Sequence, residues 1–243
     1  MKIVYENETA TLVKVEKSDI SKDGVFIVPE DIVRISKSAF CWLTNMTAVH
    51  IGKNVKSLGN GCFAHCKNLE IVNLPDGLER IGNACFLDCK ALKSLALPDS
   101  VTHLGSSAFT SSGLEKISLG NGISLLREST FSNCSKLTAV KLPQQLKEIE
   151  PYAFSYCVNL TELELPQSLE RIGFSACAWC YSLKEIEIPD NVEKLEYFTI
   201  YKCKRLEKVS LPAGINLDNK AIYESNQATI TYRDRKKEKE LAT

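Results

Sequence analysis

The chain has ten cysteines, which are its most reactive side chains. Six of them occupy one position of a regular series, namely Cys66, Cys89, Cys134, Cys157, Cys180 and Cys203. Thiols can form disulfides, bind zinc or act as redox groups, and each role needs its own geometry. A position that recurs at fixed spacing is typical of a packed interior, and free cysteine is among the most buried residue types. We therefore expect these six side chains to fill a core.

A redox site would be the first alternative for these thiols. Cys177 and Cys180 have the C-x-x-C spacing of redox motifs. However, Cys180 belongs to the recurring series, and Cys177 stands where other repeats carry a phenylalanine. Nothing in the sequence indicates the helix N-terminus or nearby cation that would lower a thiol pKa. We expect both residues to be structural.

A zinc site would be the second alternative, because four convergent Cys and His ligands suffice for tetrahedral zinc. The candidates are Cys62, His65, Cys66, Cys85 and Cys89. Their convergence is doubtful, since the series places Cys66 and Cys89 inward and His65 in a column of polar residues. Disulfides between neighbouring repeats are sterically conceivable, but reduced thiols are expected. We predict no metal and no cofactor.

Catalytic groups do not recur either. The three histidines, His50, His65 and His103, lie at different positions of the repeat, and neither a nucleophile elbow nor a phosphate-binding loop is present. The sequence therefore predicts a protein that is not an enzyme.

The elements that must position these residues follow one period. Phenylalanines recur about every 23 residues, at Phe40, Phe63, Phe86, Phe109, Phe131 and Phe154. A second series pairs an aliphatic residue with proline or glycine at the same spacing, as in Leu74-Pro75, Leu97-Pro98, Leu142-Pro143 and Leu165-Pro166. Periods of 20 to 50 residues indicate solenoids, propellers or arrays.

Each repeat predicts a short strand, a turn and a return path. Leu114, Ile117 and Leu119 alternate with polar residues, which is the pattern of a half-buried strand. Proline cannot donate a ladder hydrogen bond, so it ends the strand. The remaining residues are too few for more than a turn or a brief helix. Stacked repeats then give a parallel sheet on one face of an α/β or mainly β solenoid.

The repeat resembles the BspA-like leucine-rich repeats of bacterial and some protist surface proteins. The resemblance rests on a proline after the strand and a Gly-x-x-Ala-Phe-x-x-Cys return, and residues 71–89 match nearly every position. It implies a right-handed horseshoe of about eight 23-residue repeats with parallel strands on one face. It also implies ligand binding, usually of proteins and possibly adhesion, without catalysis.

The repeats predict one domain overall, because stacked units share a continuous core. We expect an N-terminal capping hairpin at residues 1–20, repeats at 21–215, a C-terminal cap at 216–232 and a charged tail at 233–243. The register places Asp218 where a buried aliphatic residue belongs, which is why the repeats are expected to end near Ile215.

Charge and hydropathy limit the partners. Thirty acidic and thirty basic residues give no net charge, so nucleic acid and anionic membranes are not expected ligands. No run of the chain is long enough to span a bilayer. The first residues also lack the pattern of a secretory signal peptide. The sequence favours a cytosolic protein, whereas the resemblance favours a processed piece or one exported by a leaderless route.

Two surface clusters are candidate partner-binding sites. On the strand face, Glu162 should stack on Glu185 and Glu164 on Glu187. The four carboxylates would repel one another and lower the stability of the fold, and a basic partner could offset this cost. The alternative is an ordinary solvated surface that Lys141, Lys184 and Lys208 neutralise.

The second cluster is aromatic. Nine aromatic residues lie between Tyr152 and Tyr201. Aromatic residues are enriched at binding hot spots, which makes four of them candidates: Tyr156, Trp179, Tyr181 and Tyr201. The alternative for the phenylalanines is core repair, with Phe174 or Phe198 filling volume lost at Cys177 and Ile200.

The sequence thus predicts a non-enzymatic module that binds an unknown protein, or a glycan, through the solenoid surface. A structural or assembly role, or a secreted effector acting in a host cell, is the alternative. The sequence does not indicate the oligomeric state.

Overall fold

Short strands form wherever apolar and polar residues alternate before a proline or glycine. The computed structural model describes residues 1–6, 9–225 and 227–234. They fold as a parallel β-solenoid of about ten turns, and the described residues contain a single helical segment, the 3-10 turn Lys17–Asp19. The fold is therefore the mainly β form of the predicted solenoid. It has more turns than the phenylalanine series alone indicates, because the first and last turns lack that residue.

The strand ladder is the predicted parallel sheet face. Its strands are Val25–Ile27, Ala48–His50, Ile71–Asn73, Ser94–Ala96, Lys116–Ser118, Ala139–Lys141, Glu185–Glu187, Lys208–Pro212 and Thr229–Arg233. In each pairing, equivalent residues of neighbouring turns lie side by side, as Ile117 does with Leu95 and Val140. These central residues are buried while their neighbours Lys116 and Ser118 face outward, which is the period-two pattern of a half-buried strand.

The strand ladder is interrupted twice. Ile71–Asn73 and Ser94–Ala96 are not paired, and residues 161–165 form no strand between Ala139–Lys141 and Glu185–Glu187. The ladder therefore consists of three separate three-stranded sheets.

A second ladder, which the sequence did not predict, runs along the part of the turn expected to be a return path. It consists of a six-stranded and a five-stranded sheet, separated between His103–Leu104 and Leu125–Leu126, and it is parallel except for its first pair. Its strands are Lys2–Glu6, Thr9–Lys14, Ile32–Ile35, Ser57–Leu58, Arg80–Ile81, His103–Leu104, Leu125–Leu126, Glu148–Ile149, Arg171–Ile172, Lys194–Leu195 and Asn216–Leu217. Near the C-terminal end, Ile200–Tyr201 and Ile222–Tyr223 add a further parallel pair.

The arc between the second ladder and the next strand contains two residues per turn with positive φ. One of these positions, here called the left-handed column, is occupied by Trp42, His65, Asp88, Ser111, Asn133, Tyr156, Trp179, Lys202 and Glu224. From Trp42 to Lys202 their amides donate to the next turn, as from Trp42 to the Ala64 carbonyl at 3.0 Å and from His65 to the Leu87 carbonyl at 2.8 Å. The left-handed conformation is disfavoured for residues with a side chain, and these hydrogen bonds offset its cost.

The core contains a column of stacked phenylalanines. Phe63, Phe86 and Phe109 are fully buried, with ring centroids 5.4 and 5.3 Å apart and nearly parallel planes. Phe40, Phe131 and Phe154 extend the same column. The predicted aromatic interior is thus confirmed between Phe40 and Phe154.

The recurring cysteines complete this core, and the predicted packing role is confirmed. All ten cysteines are free thiols, and the six in the series are buried. Each donates to a carbonyl of the preceding turn, as Cys66 does to Phe40 at 3.0 Å and Cys157 to Phe131 at 3.2 Å. The thiol fills an apolar site, and its S–H finds a buried acceptor in a carbonyl that also accepts a backbone N–H, as the Phe40 oxygen does from Leu43 at 3.1 Å.

The two ends of the solenoid use different pairings. Lys2–Glu6 pairs antiparallel with Thr9–Lys14, which in turn runs parallel to Ile32–Ile35. At the other end, Thr229–Arg233 runs parallel to Lys208–Pro212.

The C-terminal register differs from the expected one. A turn that is one residue shorter places Leu217 beside Leu195, so Asp218 does not occupy the aliphatic position and instead pairs with Lys194. The repeat pattern therefore continues past Ile215. Of the expected charged tail, residues 235–243 lie outside the described part of the chain.

Candidate binding surfaces

The buried cysteines are not arranged for redox chemistry. Burial raises the pKa of the Cys66 thiol to about 12 and that of Cys134 to about 11. The pKa values of Cys177 and Cys180 are also raised, again mainly by burial. Since the thiolate is the reactive species, the C-x-x-C pair is a structural element.

The zinc candidates point to separate partners. The thiols of Cys66 and Cys89 donate to the carbonyls of Phe40 and Phe63, and the His65 Nδ1 lies 3.2 Å from an Asp88 carboxylate oxygen. Among the described residues, no three His, Cys, Asp or Glu side chains are placed to hold one metal ion.

The four predicted strand-face glutamates lie together. All four are exposed, and they line one cavity of about 360 Å³. Gln167, Lys208 and Ser210 complete its polar lining. Glu185 lies beside Lys208 of the next turn, and Glu187 lies beside Ser210. The structure therefore brings Glu162, Glu164, Glu185 and Glu187 into one acidic cavity.

Few cations contact these carboxylates. Within residues 1–6, 9–225 and 227–234, Glu187 pairs with Arg233 at 3.5 Å, while Glu162, Glu164 and Glu185 form no ion pair. Lys141, Lys184 and Lys208, which would neutralise the glutamates in the alternative interpretation, also form no ion pair within the described residues. Arg233 is shared, because it also pairs with Asp190 at 2.8 Å.

The break in the strand ladder leaves backbone donors next to the acidic cavity. At regular turns the amide after the strand donates to the next turn, from Leu119 to Lys141 at 3.0 Å and from Ile188 to Ser210 at 2.9 Å. The equivalent amides of Leu142 and Leu165 have no such acceptor in the described part of the chain. Both residues line a neighbouring cavity of about 460 Å³ that shares Glu162 and Glu164.

The predicted aromatic residues form a connected surface on the opposite part of the turn. Tyr156 and Trp179 stack with centroids 4.4 Å apart and planes 8° from parallel. Tyr201 meets Trp179 edge-on at 4.8 Å. Tyr181 is separate, with the Lys204 ammonium 4.6 Å from its ring centroid. The structure thus joins three of the four predicted residues into one cluster.

Core repair by phenylalanines does not occur. Cys177 and Ile200 are themselves buried, whereas Phe174 and Phe198 are only half-buried. Phe174 packs edge-on against Tyr152 at 5.2 Å and Phe198 packs against Tyr201 at 4.5 Å. These phenylalanines therefore extend the outer aromatic surface and do not replace missing core volume.

A second aromatic pair near the N-terminal end was not predicted. The Trp42 side chain is 56% exposed, and its indole stacks on the His65 imidazole at 4.0 Å with planes 17° apart. Trp42, His65 and Tyr156 share one column of the repeat, so the pairing could have been found by comparing columns for exposed aromatic residues.

The described residues contain no helix with the length and apolar character needed to cross a membrane.

A stack of parallel turns with open outer faces defines a repeat solenoid, a class that typically serves as a non-enzymatic binding scaffold. The model of the BspA type leucine rich repeat region matches residues 24–138 and 126–238, with six copies. The chain therefore belongs to the BspA-type leucine-rich repeat family, as the repeat motif predicted.

Three solved structures of bacterial proteins are similar to this chain. A leucine-rich repeat protein from Bacteroides ovatus is 28% identical over 96% of this chain and 70% of its own, with a TM-score of 0.71. The T. pallidum leucine rich repeat protein is 25% identical over 75% of this chain and 87% of its own, with a TM-score of 0.67. A leucine rich cell surface protein from Faecalibacterium prausnitzii is 18% identical over 95% of this chain and 92% of its own, with a TM-score of 0.50, and shows the common fold alone. No curated protein matches the chain.

Proposed function

We propose that this protein is a non-enzymatic binding module that holds a basic, extended protein segment on its strand face. The observation that carries the proposal is the acidic cavity, in which three of four carboxylates have no cationic partner among the described residues. The glutamate carboxylates on adjacent turns repel one another. A cation bound between two of them relieves this repulsion, so it should be bound more favourably than by a single isolated carboxylate.

The arrangement of the glutamates supports an extended ligand. The four carboxylates lie on two neighbouring turns of the strand face and line one cavity. An extended peptide lying across these turns would place successive Lys or Arg side chains against them.

The proposed site of action is the cell surface or the extracellular medium. The Faecalibacterium relative is described as a cell surface protein, and open solenoid faces suit the capture of external ligands. Protease treatment of intact source cells tests this location, because a surface protein should be degraded while a cytosolic marker survives. Survival of this chain together with the marker would place it inside the cell.

The binding experiment uses a fluorescein-labelled peptide of alternating Arg and Ser residues and fluorescence anisotropy. Each exposed ion pair contributes roughly 0.2–1 kcal/mol, so replacing all four glutamates with Gln should weaken binding at least about fourfold. Added salt should weaken the wild-type complex, because it screens exposed charges.

A matched control carries Gln at four exposed glutamates outside the cavity: Glu30, Glu79, Glu170 and Glu193. This variant has the same net charge as the test variant and should bind like the wild type. Equal losses in both variants would show nonspecific attraction to charge and would contradict the proposal, as would unchanged binding of the cavity variant.

A further inference from the structure

The last strand of the strand ladder, Thr229–Arg233, is an open edge. It pairs on one side with Lys208–Pro212, and no strand of the described residues pairs with its other side. An unpaired strand edge presents a row of N–H and C=O groups, which is a template for pairing with another chain.

The hydrogen bonds of this strand show which backbone groups face the open side. Successive residues of a strand point their N–H and C=O groups to opposite sides. The Thr229 amide donates to the Glu207 carbonyl at 2.8 Å and therefore points to the preceding turn. The backbone groups of Ile230 and Tyr232 consequently face outward.

The side chains of the same two residues are also uncovered. Ile230 lies beside Val209 and Tyr232 lies beside Leu211, and both neighbours are buried in the core. Ile230 is nevertheless 43% exposed and Tyr232 is 61% exposed, because no further turn of the described chain packs on them. A partner that covered them would gain free energy from apolar burial.

The N-terminal end of the strand ladder is closed by contrast. Its first strand is Val25–Ile27. The Val25 amide donates to the Ser21 hydroxyl at 2.9 Å, and the Val25 carbonyl accepts from the Ser21 amide at 3.2 Å. The central residue, Phe26, is only 6% exposed. Head-to-tail stacking of two copies would have to break these contacts, so a contact between two C-terminal ends is favoured.

The C-terminal strand is complementary to itself about Thr231. When two copies run antiparallel with Thr231 opposite its counterpart, Ile230 of each copy lies opposite Tyr232 of the other. The backbone groups of these residues face outward, so each such pair exchanges both of its N–H···O bonds. Aromatic and β-branched residues are favourable cross-strand pairs. Arg233 lies opposite Thr229 of the other copy, so no like charges are opposed.

We propose that two copies of this chain form a two-fold symmetric dimer by antiparallel pairing of Thr229–Arg233, with Ile230 of each copy against Tyr232 of the other. A two-fold contact uses the same surface on both copies and closes the assembly at two. The three-stranded sheets at the two C-terminal ends become one continuous sheet. One strand edge is small compared with standard interfaces of about 1,200–2,000 Å², so the dimer is in a concentration-dependent equilibrium with the monomer.

The test is sedimentation velocity of the full chain from about 1 to about 300 µM, a range chosen for a weak interface. The sedimentation coefficient should rise from the monomer value to the dimer value and no further. Hydrogen exchange of the peptide that contains Ile230 and Tyr232, followed by mass spectrometry, should slow over the same range, because the dimer protects these amides.

Tyr232→Pro is the first test variant. The Tyr232 amide faces outward, so proline removes a donor from the dimer contact without removing one from the pairing with Lys208–Pro212. Loss of this donor in both copies should raise the dissociation constant at least about fivefold.

Ile27→Pro is the matched control, because Ile27 is an exposed residue on the opposite edge of the same ladder. It should dimerise like the wild type. Far-UV circular dichroism should show that both proline variants are folded.

A second pair of variants tests the register. Ile230→Lys with Tyr232→Lys opposes like charges in a homodimer, and Ile230→Glu with Tyr232→Glu does the same. Each double variant alone should be monomeric, whereas an equimolar mixture of the two should form a heterodimer.

A monomer at every concentration would overturn the proposal, as would a mixture of the charged variants that stays monomeric. Equal loss of the dimer in the Ile27 variant, or assembly beyond two copies, would show a head-to-tail contact instead. Amide protection that does not change with concentration would show that another part of the same chain covers the edge, and would contradict the proposal as well.

Discussion

The two halves of the solenoid differ in the side chain that fills the inner phenylalanine position. From Phe40 to Phe154, each turn buries one phenyl ring in a continuous inner stack. In the following turns the same position holds Cys177, Ile200 and Ile222. There the aromatic rings lie outside, with Phe198, Tyr201 and Tyr223 packed on one another.

This difference shows that the repeat constrains the path of the backbone more strictly than the identity of the inner side chain. The hydrogen bonds between turns persist in both halves, as from Phe86 to the Ala108 carbonyl at 2.7 Å and from Cys177 to the Thr199 carbonyl at 2.9 Å. The inner side chain can therefore shrink while the turn keeps its path. The smaller inner side chains contribute less stabilising free energy from apolar burial. Contacts between the outer aromatic rings partly compensate for this loss.

The largest expected effect applies to both halves, because both contain buried thiols. The pKa values of Cys66 and Cys203 are raised from 9.0 to about 12 by burial. Between these values the unfolded thiol loses its proton while the folded thiol keeps it, so ionisation favours unfolding. The contribution is fully present below about pH 9 and is lost as pH rises from 9 toward 12, by at most about 1.4 kcal/mol per pH unit for each thiol.

Urea unfolding at pH 8, 9 and 10 in the presence of reductant measures this loss. A Cys66→Ala/Cys203→Ala variant serves as the control, because it removes one thiol from each half and should show a shallower decline. An identical decline in the variant would mean that other groups, such as lysines and tyrosines, cause the alkaline instability.

The next effect separates the two halves. Phe86→Ala should lower the free energy of unfolding by roughly 3–5 kcal/mol, because it opens a cavity in the stacked core. Phe198→Ala should cost only about 1 kcal/mol, since that ring is half-buried and contributes mainly aromatic contacts. Urea denaturation of both variants gives the comparison. Similar losses would show that the outer rings stabilise the fold as much as the inner ones do.

The smallest effect tests whether the C-terminal core has spare room. Cys177 is buried, as are Ala176, Ala178 and Cys180, and we expect Cys177→Phe to overpack the turn and cost about 1–3 kcal/mol. Its melting temperature should fall relative to the wild type. A higher melting temperature would show that the core has unfilled space at this position of the phenylalanine column. It would also show that the outer rings do not fill that space.

The sequence predicted the fold best where one side chain is repeated at one position. Phe86 and Cys89 recur with strict spacing, and Leu97-Pro98 marks a strand and its end, so the core and the strand ladder followed directly. The second ladder did not follow, because a pair such as Arg80–Ile81 offers only one buried residue and no alternation to detect.

The candidate surfaces could be predicted only in part. Glu162 and Glu185 were placed together because strand register depends on the period alone. The unpaired amides beside them depend on a local loss of pairing at residues 161–165, which has no marker in the sequence. Trp42 and His65 share a column, but an aromatic side chain gives no sign of the left-handed backbone, which Asn133 and Asp88 mark elsewhere in the column.

The interruptions of the strand ladder have a mechanical consequence. Backbone pairing between neighbouring turns resists bending of the solenoid. On the strand side this pairing is absent at residues 161–165 and between Ile71–Asn73 and Ser94–Ala96. The second ladder is continuous at both places. Because the backbone pairing at these two places is on one side only, we expect bending there to widen or narrow the strand face. The second ladder has its own break between His103–Leu104 and Leu125–Leu126, where the strand ladder is intact, so bending there would act on the opposite side.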